Sequence, residues 1–164
     1  MLPLPLQTRP RRRLGASSSV AKVYATRVDI DAPAERVWSI LEDLDRYAEW
    51  NPFTVRIETD FVVGHPIVLH VSFDGAKPMR QTEILRRWAP GEELRWSMTI
   101  GPAWFFRAER VQRVEVLGPA RCRYISEDAF AGLFSPVVEL LYGPKVQRGF
   151  DALGAALARR AQQA

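Results

Sequence analysis

The fold of this chain is decided by the segment Val28–Phe53, which reads VDIDAPAERVWSILEDLDRYAEWNPF. Alternating apolar and polar residues leading into it predict a first strand, Lys22–Ile30. Pro33 suits the first turn of a helix, where a missing N–H costs nothing, and apolar residues follow it at helical spacing, namely Val37, Ile40, Leu41 and Leu44. A second short helix or turn, Tyr47–Pro52, ends at its Asn-Pro pair. The segment therefore predicts a strand that runs into a pair of helices.

Downstream of this segment the pattern changes to short period-two runs divided by Gly and Pro, which predicts an antiparallel meander. The predicted strands are Thr54–Thr59, Ile67–Phe73, Met79–Trp88, Glu93–Ile100, Phe105–Leu117 and Arg121–Phe130. Helical spacing returns after the N-cap pair Ser135-Pro136, with one stripe formed by Val146, Phe150, Leu153 and Leu157. Gly143-Pro144 is expected to kink or interrupt this last helix.

These elements make an α+β plan of one strand, two short helices, a six-strand meander and a long closing helix. A single helix covers one face of such a sheet only if the sheet curls around it. The space between a curled sheet and its helix is the natural place for a ligand. The 164 residues suffice for one domain.

The net charge of +4 is concentrated at the N-terminus. Residues 1–28 hold six basic groups and no acidic one; without these six, 17 basic residues face 19 acidic ones, a net charge of −2. A mildly acidic body argues against a nucleic-acid partner, because phosphate binding needs a positive field. Residues 1–21 are predicted to be a disordered basic extension or an over-long start, with an Arg- and Ser-rich targeting peptide as the alternative. No run reaches the roughly 18 apolar residues of a membrane helix, and we expect a cytoplasmic protein.

The chain resembles the START-like superfamily, also called SRPBCC or Bet v 1-like, and its bacterial polyketide cyclase/dehydrase branch in particular. The resemblance rests on Ile30-Asp31-Ala32-Pro33, Val37-Trp38, Leu41, Asp43, Tyr47, Trp50 and Pro52, and further on Leu94-Arg95-Trp96 and Asp128-Ala129-Phe130-Ala131-Gly132. It implies a helix-grip fold, in which a curved antiparallel sheet wraps around the long C-terminal helix and leaves an apolar cavity. Residues 22–164 would then form one START-like ligand-binding domain.

Motifs for covalent, metal or phosphate chemistry find little support in the sequence. The single cysteine, Cys122, has no His nearby and fits a small buried strand residue. His65 and His70 are five residues apart and would point to opposite faces of a strand, so we predict no metal site. The glycines are isolated turn residues and form no phosphate loop. We predict no cofactor.

Asp128 and Tyr124 are the weak catalytic candidates, because alternation puts them on one strand face with Ser126 and Phe130. If that face lines the cavity, Asp128 would be a buried acid with a raised pKa, suited to general acid or base work. The alternative is an Asp that bonds a backbone group or pairs with an Arg at the strand end.

Polar groups on otherwise apolar strand faces are what a pocket uses to orient a ligand. Arg110 and Gln112 are such groups on one strand, although a twist at its start could instead leave Arg110 in solvent. The predicted ligand-binding set is Trp96, Met98, Arg110, Gln112, Tyr124, Ser126, Asp128, Leu141 and Tyr142. Its partner would be a small hydrophobic or aromatic molecule.

Three hypotheses for function remain open at this point. The first is a protein that binds a hydrophobic or aromatic small molecule between the sheet and the last helix. The second is the polyketide cyclase or aromatase-like enzyme that the resemblance implies, which needs positioning and proton transfer but no metal. The third is a chaperone-like or regulatory domain without a ligand, which predicts a closed core and an exposed apolar patch around Trp104–Phe106. The oligomeric state stays open.

Overall fold

The computed structural model describes residues 21–163, so the predictions for residues 1–20 lie outside the described part of the chain. Its elements, in chain order, are β1 (Lys22–Ile30), α1 (Ala34–Glu42), a single 3-10 turn (Leu44–Arg46), α2 (Tyr47–Trp50), β2 (Thr54–Glu58), β3 (Pro66–Val71), β4 (Met79–Ala89), β5 (Glu93–Ile100), β6 (Phe106–Gly118), β7 (Arg121–Ala131) and α3 (Ser135–Gln162). Every predicted strand and helix is present.

The seven strands form one antiparallel sheet in the order β1-β7-β6-β5-β4-β3-β2. Strands β2 to β7 follow the predicted meander, while β1 pairs with the last strand, in a register that sets Lys22 opposite Phe130 and Ile30 opposite Cys122. The sheet is curved into a half-barrel around α3, which confirms the helix-grip fold.

The helix pair closes one end of the half-barrel. α1 buries Val37, Trp38 and Leu41 beneath the sheet and α3. The hydroxyl of Tyr47 donates a hydrogen bond of 2.9 Å to the carbonyl of Leu41, and burial raises the pKa of this tyrosine. Asn51 accepts hydrogen bonds from the N–H groups of the next strand, which ends α2 and starts β2. The segment Val28–Phe53 thus forms the closed end of the half-barrel.

The last helix, α3, runs through Gly143 and Pro144 without interruption. The interruption expected there is therefore wrong, while the alternative expectation of a kink stays a prediction. Proline removes one N–H from the helix and would leave the carbonyl of Leu140 without its partner. Because Leu140 is 79% exposed, water can satisfy that carbonyl. Gly143 is required by packing, since a Cβ there would collide with the Tyr24 hydroxyl.

The second part of α3 fills the core. The predicted stripe of Val146, Phe150, Leu153 and Leu157 is buried against the sheet and α1, with at most 6% of any of these residues exposed. Gly149 lies against the ring of Phe53, which a Cβ would displace. Burial of these apolar side chains contributes to the stability of the domain, at roughly 25 cal/mol per Å² of apolar surface.

The cysteine and the two histidines, for which the sequence predicts no nucleophilic or metal-binding role, lie in unreactive surroundings. Cys122 is buried in β7, and burial raises the pKa of its thiol. His65 and His70 pair separately with Asp60 and Glu58 on the surface. Within residues 21–163 no cluster of three potential metal ligands occurs. None of the helices in the same residues has the length and apolar character needed to cross a membrane.

Candidate functional site

A cavity of about 320 Å³ lies between the concave face of the sheet and the first half of α3. Its volume is at the lower end of the range for small-molecule sites. Most of its wall is apolar and comes from β3 to β7 and α3, including Leu69, Val71, Phe73, Met79, Met98, Ile100, Phe106, Phe130, Phe134, Val138, Tyr142 and Val146. Few polar side chains reach it, so each of these has a strong influence on what can bind.

Three of the cavity-lining residues are placed by strand register. Trp96 on β5 is directly opposite Arg110 on β6, which is directly opposite Asp128 on β7. Directly paired residues in an antiparallel sheet project from the same face. The register therefore aligns these three side chains in one row across the floor of the cavity.

The guanidinium of Arg110 is held in place at the floor of the cavity by a hydrogen bond and by three aromatic rings. Only 5% of the residue is exposed, and its Nε donates a hydrogen bond of 3.2 Å to Oγ of Ser126. Its Cζ lies 4.4 Å from the ring centroid of Phe150, and the rings of Trp96 and Phe53 are 5.3 and 5.6 Å away. Such contacts stabilise a desolvated cation. Nη2 of Arg110 is buried and makes no hydrogen bond to any residue of the 21–163 range.

Two carboxyl groups share this cavity with the guanidinium. Burial raises the pKa of Asp128 to about 6, although the charge of Arg110 opposes the shift. Burial raises the pKa of Glu83 on β4 to about 8, helped by repulsion from Asp128. Asp128 keeps some accessible surface because it faces the cavity, yet protein atoms surround it on all sides. Its Oδ1 finds no hydrogen-bond partner in the described part of the chain.

Glu83 was missed by the sequence analysis. It lies in β4 on the same face as Gln81 and Leu85, and Leu85 is fully buried. Spacing of two from a buried residue is the signal that places Glu83 inside. The signal was masked because Ile84 and Leu85 are adjacent and both apolar, so the inward face of this strand could not be told from alternation.

The structure divides the predicted ligand-binding residues into three groups. Trp96, Met98, Arg110, Asp128 and Tyr142 line the cavity. Gln112, Tyr124 and Ser126 share the inward face but lie buried beneath the lining, where Ser126 supports Arg110. Leu141 lies outside the lining and is 58% exposed, since its neighbour Tyr142 takes the inward position. The ligand-binding roles of all nine residues remain predictions.

Tyr124 is the less suited of the two catalytic candidates by position. It is fully buried and outside the cavity lining. Burial raises the pKa of its hydroxyl, partly offset by the neighbouring Arg110 and Ser126. Asp128, in contrast, lines the cavity.

This arrangement offers a ligand one fixed hydrogen-bond donor in Arg110, one acceptor in Asp128 and one exchangeable proton on Glu83. Near neutral pH Asp128 is ionised beside the positive Arg110, while Glu83 holds its proton. A ligand oxygen could accept a hydrogen bond from Nη2 of Arg110, and a ligand proton could be taken up by Asp128. An apolar body would fill the remaining wall.

A family model described as polyketide cyclase / dehydrase and lipid transport matches residues 21–162 of the chain. The comparison with curated proteins finds no match.

Solved structures share this fold at low sequence identity. The Zhui aromatase/cyclase from Streptomyces sp. R1128 superimposes with a TM-score of 0.68 at 20% identity, covering 87% of this chain and 94% of that one. A norcoclaurine synthase from Thalictrum flavum gives a TM-score of 0.62 at 17% identity over 87% and 94% of the two chains. A START superfamily protein from Mycobacterium smegmatis gives 0.58 at 18% identity over 84% and 97%. Likeness at this level establishes the fold.

Proposed function

The chain belongs to the polyketide cyclase / dehydrase and lipid transport family of the START-like superfamily, and from that premise we propose that it binds a small molecule with an aromatic or apolar body and one oxygen-bearing end. The observation that carries this proposal concerns two residues that are directly opposite in the strand register: Nη2 of Arg110 and Oδ1 of Asp128 are buried and have no hydrogen-bond partner among residues 21–163. Buried polar atoms without partners are rare in folded proteins. A ligand hydroxyl can accept a hydrogen bond from an N–H such as Nη2 and donate one to a carboxylate oxygen such as Oδ1.

The apolar wall supports the same proposal. A ligand with ring systems would remove apolar surface of Phe73, Phe106 and Phe134 from water, at roughly 25 cal/mol per Å² before the costs of binding. The polar end would fix its direction, with the oxygen toward Arg110 and the body toward α3. The third hypothesis from the sequence required a closed core, which the cavity does not provide.

Native mass spectrometry of the purified protein tests this proposal. Val138→Trp fills the cavity from α3, and the adjacent Val137→Trp adds the same ring on the outer face. We expect a co-purified small molecule in the wild type and in Val137→Trp, and its loss in Val138→Trp. Equal occupancy in both variants would place the ligand elsewhere.

A second candidate function is proton-transfer catalysis of the cyclase or aromatase type, favoured by the two acids with pKa values of about 6 and about 8. The Asp128 carboxylate would remove a proton from the carbon next to a ligand carbonyl. The enolate oxygen that forms would be stabilised by Arg110. Glu83, which carries a proton near neutral pH, would return one to the product.

Deuterium exchange at the α-carbons of 2-tetralone, followed by NMR, tests the enzymatic candidate with the smallest suitable ketone. Asp128→Asn should lower the exchange rate about a hundredfold or more, while leaving the affinity for the ketone within a few-fold. Glu127→Gln is the matched control, because this neighbouring carboxylate points to the other face and pairs with Arg27 and Arg113. A rate that Asp128→Asn leaves unchanged would contradict catalysis by this residue.

A further inference from the structure

The first two turns of α3 carry an apolar face that nothing in the described chain covers. Leu133, Val137, Leu140 and Leu141 recur at helical spacing and are 75%, 42%, 79% and 58% exposed. Single exposed apolar residues are ordinary, but a contiguous set marks an interaction surface.

The turn between β5 and β6 extends this face. The N–H of Leu133 donates to the carbonyl of Trp104 at 2.9 Å, and the N–H of Phe134 donates to that of Phe105 at 2.8 Å. The rings of Phe105 and Phe134 stack with their centroids 5.1 Å apart, and Trp104 is 64% exposed beside them. The helix and the turn therefore present one fixed surface, called here the mouth patch, made of Trp104, Leu133, Val137, Leu140 and Leu141.

The mouth patch borders the entrance of the cavity. Phe134, Val138 and Tyr142, which alternate with its members along α3, line the cavity wall. Ile100 and Met79, on the facing strands, line the same cavity and are also about half exposed. Whatever covers the mouth patch therefore also covers the opening.

Cations without ion-pair partners surround the mouth patch. Each of four exposed basic residues is next to a cavity-lining residue in sequence or in strand register, and none of the four forms an ion pair within residues 21–163: Lys22, Arg80, Arg107 and Lys145. The exposed acid on this rim, Asp74, is already paired with Arg148, and Glu139 is half-buried. At the opposite end of the sheet the charges are matched, as in Arg123 with Asp29.

The basic N-terminal sequence joins the fold at this same end. The described chain starts at Ala21, beside Arg107 and Ala131, and the residues before it include Arg9 and Arg11–Arg13 without any acid. Like charge on the tail and the rim opposes an arrangement in which the tail itself covers the mouth patch. The rim cations and the mouth patch thus form one positive, apolar end of the described fold.

We propose that the mouth patch docks on the surface of a membrane that contains anionic lipid. The apolar side chains of α3 and Trp104 would enter the boundary between headgroups and acyl chains, while the surrounding cations face the headgroups. The cavity would then open into the acyl layer, and an apolar ligand could move between bilayer and cavity without crossing water. This surface is separate from Arg110 and Asp128, so docking and ligand binding can fail independently.

Sedimentation of the full chain with lipid vesicles tests the proposal. We expect binding to vesicles of phosphatidylcholine with 30% phosphatidylserine, little binding to phosphatidylcholine alone, and weakening in 0.5 M NaCl. Leu140→Glu should lower the affinity about tenfold or more, since it replaces a leucine that docking would bury in the bilayer with a negative charge facing anionic lipid. Val116→Glu is the matched control, because this equally exposed residue lies at the far end of β6; it should bind as the wild type does.

A second readout keeps the proposal falsifiable if Leu140→Glu is poorly folded. The fluorescence of Trp104 should shift to shorter wavelength with anionic vesicles, and Trp104→Phe should lose that shift. Circular dichroism checks the fold of each variant. Absence of binding to anionic vesicles, or equal binding by Leu140→Glu and Val116→Glu, would overturn the proposal. A concentration-dependent dimer that Leu140→Glu abolishes would assign the mouth patch to a second copy of the chain instead.

Discussion

The two halves of α3 have similar apolar content but opposite surroundings. From Val146 onward the helix lies on packed side chains and buries Phe150, Leu153 and Leu157 almost completely. Before Pro144 the same helix faces a cavity on one side and leaves Leu140 and Leu141 in solvent on the other. Apolar spacing therefore identifies which residues can be buried, while the distance to the facing sheet decides which of them are buried.

Phe150→Ala should have the largest effect, because it removes a fully buried ring from the core half. We expect a loss of about 3–5 kcal/mol in the free energy of unfolding, measured by urea denaturation. The loss also frees Arg110, whose guanidinium rests on this ring. Leu140→Ala in the mouth half serves as the control and should change stability by less than about 0.5 kcal/mol. Similar losses in both variants would remove the distinction between the halves.

Stability should depend on pH through the two acids that line the cavity beside the mouth half of α3, Glu83 and Asp128. Because folding raises the pKa of Glu83 to about 8 from an ordinary value of 4.5, the folded state holds a proton that the unfolded state has lost. The stabilisation is present at pH 4.5 and below, and it is lost as the pH rises toward 8. Asp128 acts in the same direction between its ordinary 3.8 and about 6.

We therefore expect the free energy of unfolding to fall by about 2–4 kcal/mol between pH 5 and pH 8. Glu83→Gln should flatten most of this dependence, whereas the exposed Glu92→Gln should leave it unchanged. Denaturation curves at several pH values provide the measurement. A stability that rises over this interval would show that Glu83 is ionised in the fold.

Glycine replacements should test how tightly each half approaches its neighbour. Gly149→Ala would push the ring of Phe53, and Gly143→Ala would push the hydroxyl of Tyr24. Overpacking of this kind costs about 1–3 kcal/mol, from which the helix preference of alanine returns up to about 1 kcal/mol. Tyr24→Phe should recover part of the loss in Gly143→Ala and none of the loss in Gly149→Ala. Thermal unfolding of the two glycine variants, each with and without Tyr24→Phe, measures this pattern.

The smallest expected effect is a difference in amide hydrogen exchange along α3. Amides in the mouth half should exchange several-fold faster than those after Phe150, because few buried contacts hold that half and Pro144 removes one helix hydrogen bond. Exchange measured by mass spectrometry on peptides from each half would show the difference. Uniform protection along the helix would mean that the two halves open together.

Much of the fold could be predicted from the sequence because most of its strands and helices are marked by local sequence signals. Pro33 and the apolar spacing behind it identified α1, and Gly and Pro residues marked the strand boundaries to within one or two residues. The partner of β1 could not be predicted, since no local pattern specifies which distant strand it joins. The integrity of α3 was also misjudged, because the cost of Pro144 depends on whether the carbonyl of Leu140 reaches water.

For the candidate site, the sequence could predict which side chains point to the inner face of the sheet, but not which of them reach the cavity. Alternation correctly set Arg110, Gln112 and Asp128 on the inward side of their strands. Which of them touch the cavity depends on where α3 crosses the sheet, so Gln112 lies beneath the floor and Asp128 on it. Glu83 could have been predicted from the strand face alone, because it lies two residues before the buried Leu85 and therefore on the same face.

The pairing of β1 with β7 also bears on how the chain is made. β1 leaves the ribosome first among the strands, yet its partner across the register, Phe130 for Lys22, is synthesised more than a hundred residues later. Until β7 is made, the last strand of the nascent meander has an unpaired edge, and β1 has no strand to pair with. Closing so long a loop is a slow step in folding, and a translation pause before β7 would prolong the interval in which the two unpaired edges can find other chains.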